Sequence, residues 1–178
     1  MRQKKLLTAA CFLGILACGA CFLPEPHAPP PPLPPALAAV HKLAIQVKDA
    51  TGEKQPDTTQ ISDATVRQFN RLWSDYPIRA VPFHDAKSAE ALLTILILRE
   101  TASCSAGRNG AQFCMFDLQV SFSVTGNDGR VLLSKPSGDA QFGHRVNGRV
   151  PPAAWNTDEY RLGAASTLAM KAGLKILD

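Results

Sequence analysis

Between residues 116 and 125 apolar and polar side chains alternate without a break: Phe116, Leu118, Val120, Phe122 and Val124 against Asp117, Gln119, Ser121, Ser123 and Thr125. A period of two places each set on one face of a strand. Residues 91–101, "ALLTILILRET", are also strand-like, and "SAGRNG" between the two runs supplies the Gly and Asn of a turn. An antiparallel hairpin is expected. If Cys104 lies opposite Cys114, the register also sets Leu98 against Val120, Leu96 against Phe122 and Thr94 against Val124. That register joins the apolar faces, and a one-residue slip would turn every side chain over.

Upstream, "HKLAIQVKD" at residues 41–49 alternates Leu43, Ile45 and Val47 and predicts a first strand. Asp57 and Gln60 then have capping-box spacing, and Ile61, Thr65, Phe69, Leu72 and Trp73 follow at helical spacing to about Tyr76. Pro77 stops this helix, and "IRAVPF" reads as a short strand whose Pro82 marks an edge or an end. After the hairpin, "GNDG" at residues 126–129 is a turn signal, and "RVLLS" and "DAQFGHRV" extend the sheet. Asn156 and Glu159 repeat the cap spacing before a helix at 157–177, with Leu162, Ala165, Ala169, Ala172 and Ile176 on one stripe. The expected class is α+β, two helices packed on a mainly antiparallel sheet of four to five strands as a two-layer sandwich.

One stretch is apolar on both faces. In the register above, Leu92, Leu96 and Leu98 turn to the core, which leaves Leu93, Ile95 and Ile97 on the other side. Either this strand is central and covered twice, or these three side chains form an apolar surface that docks a partner, a lipid or a second copy. Ser121 and Ser123 on the matching face of the paired strand favour an uncovered surface.

The N-terminus has a different pattern. Arg2, Lys4 and Lys5 precede residues 6–23, which carry no charge, and this is the layout of a secretory signal. "Ile15-Leu16-Ala17-Cys18" resembles a bacterial lipobox, which makes Cys18 the first choice for acylation and Cys21 the second. An uncleaved anchor and simple cleavage are the alternatives, and all three export the body. Eight prolines follow within residues 24–35 and hold the chain near polyproline II geometry. They read as a stiff tether, with a ligand for a proline-reading domain as the alternative. The expected divisions are a signal at 1–20, a tether at 21–40 and a single domain at 41–178.

Charge and cysteine count narrow the chemistry. Without the three leader cations the formal charge of +4 falls to +1, which is no footprint for nucleic acid. Once the leader cysteines are set aside, Cys104 and Cys114 remain as the body's pair, and an oxidising compartment favours joining them. Nine intervening residues and no neighbouring histidine do not make a zinc spacing. No serine elbow, metalloprotease helix, phosphate loop or dinucleotide fingerprint is present, so neither cofactor nor catalytic residue is expected. His84 beside Asp85, and His144 in a Gly-flanked segment, are the positions around which an enzyme or a small-ligand carrier would have to be built. Asn127 and Asp128 read as turn residues rather than calcium ligands, and Trp73 and Trp155 as packing residues.

In order and pattern, the lipobox-like start, "HKLAIQV", "VRQFNRLW", "DAKSAEALLTILILRE", "TGNDGRVLL" and the closing helix resemble the small lipopolysaccharide-assembly lipoproteins. That family sets two helices against a four-stranded sheet and sits as a plug inside the barrel delivering lipopolysaccharide to the outer leaflet. Curli-secretion-like and Tol-associated envelope lipoproteins are similar in the same way. The resemblance implies a noncatalytic lipoprotein of the cell envelope, periplasmic or at the outer membrane, that binds or plugs a membrane protein.

Overall fold

The structure, a computed structural model, describes residues 32–51, 58–106, 111–147 and 157–177. The chain divides into two units, Met1–Pro31 and Pro32–Asp178, and every described residue belongs to the second. In chain order its elements are β1 (Lys42–Asp49), α1 (Thr58–Leu72), β2 (Arg79–Pro82), β3 (Ala91–Ala106), β4 (Ala111–Gly126), β5 (Val131–Asn147) and α2 (Asp158–Ile176). Two helices and a five-stranded mixed sheet in the order β2-β1-β3-β4-β5 make the expected α+β fold. β1 pairs parallel with both β2 and β3, while the long β3–β4 and β4–β5 pairings are antiparallel.

The body begins earlier than residue 41. Leu37, in a 3₁₀ turn at Pro35–Leu37, is fully buried, Val40 nearly so, and Leu33 packs against the same core. The last residues assigned to the tether are therefore part of the folded unit, because an apolar side chain at every third or fourth position gives them something to bury.

β1 lies between its two parallel neighbours. α1 crosses from β1 to β2 on one face, where Ile61, Val66 and Phe69 join Leu43, Ile45 and Val47 in the core. The return from β2 to β3, a 3₁₀ helix at Phe83–Ser88, moves the opposite way and packs on β1. Right-handed crossovers put that return on the other face. Ala44, which alternation points away from the helices, is accordingly fully buried. At the start of β3 the Glu90 carboxylate accepts the Lys42 N–H, which holds its carboxyl below the usual range.

Side chains from α1 cap the β2 edge and the end of β1 beyond it. Asn70 donates to the Ala80 carbonyl (2.9 Å) and accepts its N–H (2.8 Å), occupying the outward main-chain groups of β2. Where β2 has ended, the Val47 N–H donates to Ser62 Oγ (2.9 Å), and that hydroxyl donates to the Thr58 carbonyl. α2 is capped by Thr157, whose side chain accepts the Tyr160 N–H. Thr157 takes the role the spacing had given to Asn156, which lies outside the described residues, as does Asp57. Ala165, Ala169, Ala172 and Ile176 are buried as expected, whereas Leu162 and Leu72 are exposed. Trp73 closes the helix pair: its indole N–H donates to the Ala169 carbonyl (3.1 Å), and its ring stands where a side chain on Gly173 would be.

Candidate functional site

The hairpin decides which surface is available. Cys104 and Cys114 are bonded (S–S 2.11 Å) and directly opposed, as the sequence required. The register does not continue unbroken. Between Ile97 and Arg99 it shifts by one, with Leu98 as the extra residue, so that Ile97 faces Val120, Ile95 faces Phe122 and Leu93 faces Val124. The bulge turns the proximal half of β3 over.

The expected docking surface is therefore corrected. Leu93, Ile95 and Ile97 are fully buried under the helices and form no external surface. Leu92, Leu96 and Leu98 lie away from the helices, with Leu92 and Leu96 partly buried and Leu98 39% exposed. Beside them on β4, Ser121, Ser123 and Thr125 are partly buried on the same side. The result is an apolar row next to a hydroxyl row on the face opposite the helices.

Beyond the bulge the same strand has other surroundings. Glu100, Ala102 and Cys104 continue the helix-facing row of Leu93, Ile95 and Ile97. Tyr160 of α2 donates its hydroxyl to Glu100 (2.7 Å) and packs edge-on to Phe116 and Phe142, which stack on each other at 5.1 Å. Burial first, and the neighbouring Glu100 carboxylate second, push the Tyr160 hydroxyl well above its ordinary value, so it stays a neutral donor. On the opposite face Met115 and Phe113 lie across Gly143, where an added Cβ would fall 2.6 Å from the Met115 sulfur. A side chain at Gly143 would displace the ends of the Met115 and Phe113 side chains. Nothing local in the sequence announced the Tyr160–Glu100 pair, since its members are 60 residues apart.

Two recesses bear on the candidate chemistry. A cleft of about 120 Å³ beside β1 is lined by Thr58, Thr59, Ser62, Phe83 and His84. His84 and Asp85 are both exposed, 3.7 Å apart, and the cleft is below the ~300 Å³ at which small-molecule sites begin. A groove of about 400 Å³ between the N-terminal halves of the helices is lined by Asp63, Arg67, Asp158 and Arg161, of which Arg161 and Asp158 are paired. The Gly126–Gly129 turn is closed internally: Asn127 donates to the Ala89 carbonyl (2.7 Å), Asp128 accepts the Arg130 N–H (3.0 Å), and Gly129 takes φ +80°. Among the described residues no three His, Cys, Asp or Glu side chains are placed to hold a metal ion, and no helix is long and apolar enough to cross a membrane. Cys18, Cys21, His27 and Trp155 lie outside the described residues. The backbone of His144 is in β5 opposite Cys114, and its side chain is not described.

No protein-family model matches the chain, and no curated protein matches it. Solved structures similar to it include the PelC dodecamer from Paraburkholderia phytofirmans, at 15% identity over 76% of this chain and 86% of that one with a TM-score of 0.38. A minor lipoprotein from Acinetobacter baumannii aligns at 12% identity over 76% and 90%, TM-score 0.39. Protein CT253 from Chlamydia trachomatis aligns at 13% identity over 78% and 94%, TM-score 0.41. At these identities and scores the likenesses carry no functional argument.

Proposed function

We propose that this protein is a noncatalytic lipoprotein of the bacterial cell envelope, which holds a disulfide-stabilised α+β body off a membrane and binds a membrane-protein partner there. The observation that carries the reading is the opposed Cys104–Cys114 pair, a bond that persists where thiols oxidise, in a chain whose first residues read as a secretory signal ending in cysteine. The prolines that follow supply the spacing. Partner binding is supported by the row of Leu92, Leu96 and Leu98, which lies on the face opposite α1 and α2, with Leu98 exposed.

Within that class, the order and pattern of the elements favour a role in outer-membrane assembly, as a plug in the barrel that delivers lipopolysaccharide. Five strands stand here where that family has four. Mass spectrometry of the mature N-terminus tests the anchoring: a diacylglyceryl group on Cys18, or on Cys21, is expected, and Cys18→Ala should release the body from the membrane fraction if Cys18 is the site. An unmodified mature N-terminus on a fully soluble protein would remove the reading.

A further inference from the structure

We infer that the outward face of the two helices binds a second copy of this chain, turned about a two-fold axis that crosses α2 at Ser166. α2 is apolar on more sides than its own sheet covers. Leu162, Met170 and Leu174 are 54%, 43% and 44% exposed, and with Ser166 they stand four residues apart along one ridge of the helix. A helix with apolar residues on its outer side as well as its inner one is suited to packing twice.

The two ends of this face are complementary to each other, and that selects the occupant. The helices run parallel: Gln60, Asp63, Ala64 and Arg67 line a groove with Asp158, Arg161 and Leu162, and Trp73 reaches Ala169. The groove, of about 400 Å³, lies at the N-terminal end with Leu162 in its wall, while Met170 stands toward the other end, ~12 Å along the helix at the usual rise per residue. Charge divides in the same way. The N-terminal halves of the helices, 58–65 and 158–166, carry Asp63, Asp158 and Glu159 against Arg161 alone. The C-terminal halves carry Arg67, Arg71, Lys171 and Lys175 with no acid, the first beyond α1 being Asp75. All of these charged residues are at least partly exposed.

An isologous pair about a two-fold axis across the helices sets each end against its opposite. With the axis at Ser166, Leu162 of one copy faces Met170 of the other, so each methionine enters the other copy's groove, which suits its unbranched, flexible side chain. Ser166 meets its own counterpart, and a small residue there lets the helices approach. Asp63 comes within reach of Arg71 of the second copy, while Lys175 turns toward Gly138 on β5 and takes no part. A parallel pair would set like charges together and leave both grooves unfilled. The antiparallel pairing leaves Leu92, Leu96 and Leu98 on the opposite face open to the membrane-protein partner. An axis along the membrane normal holds both tethers at one height, so anchoring and pairing are compatible.

The test uses the full chain in its own cells with Ser166→Cys under mild oxidation, since a residue on the axis meets itself. Expected is a disulfide-linked dimer on non-reducing gels, well above the wild-type chain, and none above it for Ser123→Cys on the opposite face. Met170→Glu, which puts a charge into the apolar contact, should reduce the dimer about tenfold or more. Asp63→Arg and Arg71→Asp should each weaken it several-fold and together restore it, which damage to the fold would not do. The unsubstituted chain in mild detergent should sediment with the mass of two copies, and this measurement decides if Ser166→Cys fails to fold. A monomer by sedimentation, equal crosslinking at Ser123 and Ser166, or charge variants that do not compensate overturn the pairing. An adduct of Ser166→Cys with a different protein overturns the second copy as the occupant.

Discussion

β3 is one strand with two different surroundings. Its proximal half, Ala91–Ile97, has β1 on one side and β4 on the other, with Leu93, Ile95 and Ile97 fully buried beneath the helices. Its distal half, Arg99–Ala106, pairs among the described residues with β4 alone, and the row that carried large aliphatic side chains continues as Glu100, Ala102 and Cys104. Burying an aliphatic side chain contributes roughly 1.5–3 kcal/mol, and the distal row has almost none to bury. A disulfide stabilises by about 2–4 kcal/mol, which offsets part of the missing burial. The covalent bond stands where the aliphatic row of β3 has ended, with Cys104 exposed and Cys114 buried in the core.

Removing a proximal side chain should have the largest effect. Ile95→Ala is expected to destabilise by about 3–4 kcal/mol, the lost transfer energy plus an unfilled cavity, while Leu96→Ala on the opposite face should cost about 1 kcal/mol or less. Urea midpoints at unchanged slope measure both. Equal losses would mean that the two faces of β3 have been assigned the wrong way round.

Replacing both cysteines by alanine is expected to cost about 2–3 kcal/mol, the chain-entropy value for closing a short loop. The comparison is sharpened by where the loss falls. Amide exchange should accelerate along 99–106 and 111–119 and remain slow at 91–97. Uniform acceleration would show the halves unfolding as a single unit.

Tyr160→Phe tests the junction between them, at an expected cost of about 1–2 kcal/mol for a hydrogen bond to a charged acceptor. Its pH dependence has a definite sign. The folded-state value is raised, so the unfolded chain releases the Tyr160 proton near pH 10 while the folded protein retains it. The stabilisation is fully present below pH 10 and is lost as pH rises above it. Between pH 10 and 11 the native protein should lose about 1 kcal/mol more than the variant; parallel stability curves would contradict the buried neutral hydroxyl.

Much of this was legible in the sequence. β4 could be read residue by residue because only one of its faces is apolar, and the opposed cysteines gave the distal register correctly. β3 could not, because Leu92, Leu96 and Leu98 match the same pattern as Leu93, Ile95 and Ile97: where both faces are apolar, a one-residue shift leaves no mark. The parallel pairing of β1 is implicit in a strand-helix-strand order, yet alternation alone carries no direction. Thr157 and Asn156 are adjacent residues of equal capping chemistry, and only the turn of the chain chose between them. Asn70 at Ala80 and Tyr160 at Glu100 are pairings of tertiary structure, with no local period to report them.

The smallest effect should come from deleting Leu98. As the extra residue of the bulge it has no partner on β4, so its removal leaves Ile97 against Val120 and Arg99 against Gln119 in a regular ladder. Both halves keep their faces: Ile97 stays inward, Arg99 outward and Glu100 inward beneath Tyr160. What changes is the local twist and one 39%-exposed side chain, so the cost should stay within about 1 kcal/mol. The disulfide should still form, because Cys104 and Cys114 remain opposed. A deletion that left both thiols free, or unfolded the body, would mean that the bulge positions the distal hairpin through its twist rather than merely absorbing a residue, and the two halves would then be coupled through Leu98 itself.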